Sequence, residues 1–147
     1  MDPMTRHILE RTFEAVYDAG INPADLRGTN AHVYSGTSFS DYDLVWATDY
    51  KGGYGIMGRN RCMNANRVSY WLDINGTSVA LDSNYANGIL NVANGWDAIR
   101  KGRTDIAIVS TANIQSCPEI SIQINDLGLL SPDGICKPFD NAGKFIY

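Results

Sequence analysis

Ser78-Val79-Ala80-Leu81-Asp82-Ser83-Asn84-Tyr85-Ala86-Asn87-Gly88-Ile89-Leu90 is the stretch whose reading decides the fold. Ser78 to Leu81 is a short apolar run with strand character, and Asp82-Ser83-Asn84 turns the chain. From there the apolar spacing predicts a helix to about Arg100. Ile89, Leu90, Val92, Ala93, Trp96 and Ile99 are expected on its buried side.

Working outward, Gly102 stops that helix, and Asp105-Ile106-Ala107-Ile108-Val109-Ser110 reads as the best buried strand of the chain. Upstream, Asp2 caps a first helix with Pro3 in its first turn. Ile8, Leu9, Phe13, Val16 and Tyr17 form its stripe, and Gly20 before Asn22-Pro23 ends it. A turn over residues 24–29 leads to a strand at His32 to Ser35. Ser38, Ser40 and Asp41 read as loop, and Leu44 to Ala47 fits strand or helix equally. Gly52, Gly53, Gly55 and Gly58 read as a glycine loop, followed by a polar helical stretch ending near Asn66 and a strand over Val68 to Leu72. Strands alternating with helices predict an α/β fold with a mixed, mostly parallel sheet.

The chain has 147 residues, 44% of them hydrophobic and 19% charged, which fits one globular domain rather than disorder. A net charge of -4 without a basic run argues against nucleic acid and against an anionic membrane as partner. No apolar stretch reaches bilayer-spanning length, and the N-terminal residues lack a signal-peptide layout. Three widely spaced cysteines, Cys62, Cys117 and Cys136, fit free thiols in a reducing compartment, so the cytoplasm is expected. The sequon Asn75-Gly76-Thr77 is then accidental.

His7 and His32 are the only histidines and no cysteine pair has zinc spacing, so no metal is expected. Gly53-Tyr54-Gly55-Ile56-Met57-Gly58 matches the dinucleotide fingerprint in form. The segment after it has little apolar face to pack on a sheet, and no cofactor is expected. Ser38 and Ser83 lack the G-x-S-x-G elbow of a serine hydrolase. The turn at residues 82–87 differs from these. A side chain where a buried strand gives way to a helix faces free N–H groups and the positive end of the helix dipole. A cysteine there becomes an acyl-accepting thiolate, and the same N–H groups hold a thioester oxyanion. The residue supplied is Tyr85, and a phenol ionises only near pH ~10 and makes a poor acyl carrier.

Four segments, in order, carry the motifs of one known family. Asp2-Pro3-Met4-Thr5-Arg6 with Ala15-Val16-Tyr17-Asp18-Ala19-Gly20 resembles its DPQ-x-R…AxxDAG segment. Ala65-Asn66-Arg67-Val68-Ser69-Tyr70 resembles ANR-[IL]-S-[FY], and Leu72 to Asp82 resembles F-D-x-x-G-P-S-x-x-x-D with Thr77 at the proline. Leu130-Ser131-Pro132-Asp133-Gly134 with Lys137-Pro138-Phe139-Asp140 resembles L-S-P-[ED]-G-x-C-[KR]-x-F-D. Together the four resemble the β-ketoacyl synthase family, in wording close to the condensing domain of animal, especially insect-like, fatty acid synthases and related polyketide synthases.

The resemblance implies a partial thiolase-like fold, an incomplete N-terminal half with helices on both faces of the sheet, and residues 1–147 as a single partial domain. The family's D-T-A-C-S-S-S-L string falls on Asp82 to Ile89, which sets Tyr85 at the nucleophile and predicts a pseudoenzyme. The family's two catalytic histidines fall downstream of Tyr147. Its opening strand, the neighbour of the strand at Asp105 to Ser110, falls upstream of Met1. Acyl and malonyl thioesters on acyl carrier protein are the implied partners, with a homo- or hetero-dimer through the edge strand Thr77 to Asp82. The alternatives are a non-catalytic interaction or acyl-binding partner of an active synthase, or an incomplete gene product.

Overall fold

The computed structural model describes residues 1–43 and 54–141. Leu44 to Ala47, Gly52 and Gly53 lie outside the described residues. The chain divides into two compact units, Met1–Ile114 and Gln115–Tyr147.

The first unit opens with α1 (Pro3–Asp18), where Asp2 Oδ1 accepts from the Met4 N–H at 2.7 Å and Pro3 occupies the first turn. The helix ends before Gly20, which takes φ 74. Its buried stripe is Met4, Thr5, Ile8, Thr12 and Val16, a four-residue spacing. Phe13 and Tyr17, expected inside, are 49% and 72% exposed because they sit on the flank of that stripe. They stack on each other at 6.4 Å, and Phe13 meets Trp71 at 6.2 Å.

Beyond a 3₁₀ turn at Pro23–Leu26, β1 (His32–Gly36) forms the centre of a parallel sheet of order β2-β1-β3, with β2 at Ser78–Leu81 and β3 at Ala107–Thr111. Val33 pairs with Ser78 on one side and His32 with Ala107 on the other. All five residues of β1 are buried, whereas β3 is only half-buried. The strand over Asp105 to Ser110 is therefore not the best buried one. It has one hydrogen-bonded neighbour among the described residues, and β1 has two.

Gly55 and Gly58 belong to a short helix, α2 (Gly55–Arg59), rather than to a loop. The expected strand over Val68 to Leu72 is also helical, within α3 (Met63–Leu72). Burial explains why. Asn64, Ala65, Val68 and Leu72 are buried at helical spacing, while Tyr70, which a strand would place beside Val68 and Leu72, is 89% exposed. α1 and α3 pack on one face of the sheet around Ile8, Val16, Val33, Val68 and Leu72.

The opposite face carries α4 (Asn87–Arg100), as the strand–turn–helix reading predicts, but rotated from the expected orientation. Asn87, Asn91, Gly95 and Ala98 are buried, and Ile89, Val92, Trp96 and Ile99 are exposed by 46–77%. Close approach to the sheet selects small side chains. A Cβ at Gly95 would lie 3.1 Å from Val109 Cγ2 and 3.2 Å from Ala107 Cβ, and one at Gly36 would lie 2.8 Å from Asn87 Cβ. Gly95 leans on β3 and Asn91 on β1, so helix rotation carries Val92 and Ile99 outward past β3. Gly95→Val is expected to cost about 1–3 kcal/mol by overpacking. Val92→Gln should stay within about 0.5 kcal/mol. Urea denaturation of the two variants checks the order, and the reverse order would refute this seating of α4.

Asn91 is fully buried and neither its Oδ1 nor its Nδ2 has a hydrogen-bond partner. An unpaired buried amide costs about 1–3 kcal/mol. Asn91→Leu, of similar shape, is therefore expected to raise stability by about 1 kcal/mol. A lower denaturation midpoint would show that the amide is satisfied after all.

In the second unit, α5 (Pro118–Asp126) begins on a proline and is followed by Gly128 at φ 68. A turn follows in which Asp133 accepts from Ser131, from Lys137 Nζ at 2.6 Å and from the Ile135 N–H. The Lys137 ammonium and then the Ser131 hydroxyl hold the Asp133 carboxyl well below the usual carboxylate range.

Candidate active site at the start of α4

The turn between β2 and α4 is held by its own side chains. Asp82 Oδ1 accepts from the Asn84 N–H at 3.1 Å, and Arg61 Nη1 reaches Asp82 Oδ2 at 3.1 Å. Asn87 Oδ1 accepts from the Ser83 N–H at 2.6 Å and from its hydroxyl at 3.0 Å. Asn84 takes φ 55, a left-handed conformation that asparagine tolerates better than most residues. A 3₁₀ turn over Asn84–Ala86 then delivers the chain into α4, whose N-cap residue, Ala86, supplies no side-chain hydrogen bond.

Tyr85 lies in this 3₁₀ turn, 57% exposed, at a cavity of about 150 Å³. Gly36, Ser38, Asn87, Gly88, Thr111 and Asn113 also line it. The cavity therefore opens at the C-terminal ends of β1 and β3, where parallel sheets present their crevices. Ser38 and Asn87 are buried, and none of the described residues lining the cavity is charged, a cysteine or a histidine. The described walls offer hydroxyl and carboxamide groups, and none of these residues can act as a base. Strand–turn–helix logic singles out Tyr85 and not Asn87. Ser38 and Asn113 are missed, although each follows closely on the C-terminal end of a parallel strand, and that placement is the signal that would have found them.

The two histidines are elsewhere. His32 is buried in β1 with Nδ1 3.2 Å from the Tyr34 hydroxyl. His7 lines a second cavity, of about 340 Å³, between α1 and β3 with Thr12 and Ser110. Among the described residues no group of three His, Cys, Asp or Glu side chains could hold a metal ion. None of their helices is long and apolar enough to cross a membrane. The proposed edge, Thr77 to Asp82, runs along β2, which pairs with β1 on one side only among the described residues.

Compared with known proteins, residues 1–144 match the model of the "Beta-ketoacyl synthase, N-terminal domain" family. The chain is 42% identical over 145 residues to a fatty acid synthase of Anser anser anser, covering 97% of this chain and 41% of the relative. It is 37% identical to a 6-methylsalicylic acid synthase of Penicillium terrestre, covering 98% of this chain and 8% of the relative. Among solved structures, the ketosynthase from module 6 of the bacillaene synthase from Bacillus subtilis superposes with a TM-score of 0.79 at 29% identity, over 96% of this chain and 24% of that one. An oxazolomycin ketosynthase domain from Streptomyces albus gives 0.81 at 29% identity, over 97% and 26%. The chain thus spans less than half the length of these relatives.

Proposed function

Because the chain belongs to the β-ketoacyl synthase family, through that family's N-terminal domain, we propose that its residues 1–147 are one partial domain of a fatty acid synthase-like condensing enzyme whose nucleophile position is filled by Tyr85. The family reaction is a decarboxylative condensation of an acyl with a malonyl thioester carried on acyl carrier protein, a 3-oxoacyl synthase activity. This chain is inert in it.

The observation that carries the reading is the chemistry around Tyr85. The site keeps the features of an acyl-accepting position, a side chain at the head of a 14-residue helix with no side-chain cap, beside a crevice at strand ends. It lacks the chemistry to use them, since the side chain is a phenol and no described residue lining the cavity can act as a base. Similarity to a fatty acid synthase at 42% supports the fatty-acid branch over the polyketide branch. Three cysteines outside any disulfide support a reducing compartment, the cytoplasm.

A second reading is favoured by the exposed flank of α4. Val92 and Trp96, 55% and 58% exposed, form an apolar strip that suits a protein partner or an acyl chain. The chain then serves as a non-catalytic companion of an active synthase, in a homo- or hetero-dimer through Thr77 to Asp82.

Incubation with short acyl thioesters and intact-mass measurement tests both readings. No covalent mass gain is expected, and an acyl group recovered on Tyr85 would overturn the inert assignment. The same mixture sprayed under native conditions should retain acyl thioester or show dimers if the second reading holds. A bare monomer would remove it.

A further inference from the structure

We draw no further inference here: the strongest candidate, the cavity between α1 and β3, with the unpartnered buried hydroxyls of Thr12 and Ser110 on its wall, restates the place that the β-ketoacyl synthase fold gives to its own opening strand.

Discussion

Gly76→Ala is expected to destabilise the first unit by about 3 kcal/mol, the upper end of what overpacking usually costs, or to prevent folding. The segment that feeds β2 lies against the segment that feeds β1. Gly28 N–H donates to Asp73 O at 2.7 Å, Asn75 N–H to Thr29 O at 2.8 Å, and Val33 N–H to Thr77 O at 2.8 Å. A Cβ on Gly76 would fall on the carbonyl group of Ala31 and come within 2.8 Å of the Asn30 oxygen. Both obstacles are backbone, so no rotamer relieves the clash. Only separation of the two strands does, and it breaks those hydrogen bonds. Urea denaturation measures the cost, and a variant within about 0.5 kcal/mol of the parent would show that this crossing is looser than described.

Tyr85→Cys is expected to produce the most reactive thiol in the chain. Cys62 and Cys136 are exposed and serve as internal references. The introduced sulfur would sit at the head of α4, which has no side-chain cap and where the helix dipole favours the thiolate. Alkylation by iodoacetamide at pH 7, followed peptide by peptide, should run about tenfold faster at position 85 than at Cys62. Condensation should remain absent, because the substitution supplies a nucleophile and no base. Equal alkylation rates would mean that the head of α4 does not favour the anion and that the site is not poised for acyl transfer. Measurable condensation would show that the phenol was its only defect.

The strand–turn–helix at Ser78 to Arg100 was legible because its elements are local. A β-run, a polar turn and a helical period each show within a dozen residues. The facing of α4 was not legible. Periodicity assigns the apolar side to the core, whereas here the tightest contact is made by Asn87, Asn91 and Gly95, chosen for size rather than hydrophobicity. The same limit hid the helix at Val68 to Leu72, since Val, Tyr, Trp and Leu together look like a strand until the distant residues they pack on are known. At the site, Tyr85 followed from its place before a helix. Ser38 and Asn113 came only with the topology, because nothing near them in sequence says that β1 and β3 are neighbours.

That neighbourhood imposes a waiting time. β1 pairs with β2 at Val33↔Ser78, 45 positions along, and with β3 at His32↔Ala107, 75 positions along. Parallel pairing always needs such crossovers, and loop closure must precede any gain from the contacts. On a ribosome adding roughly 5–20 residues each second, β1 is followed by roughly 4–15 seconds of synthesis before its second neighbour exists. Throughout that interval, a five-residue segment destined for complete burial has one partner or none. Among the described strands, the centre of the sheet is the first to be made and the last to be finished.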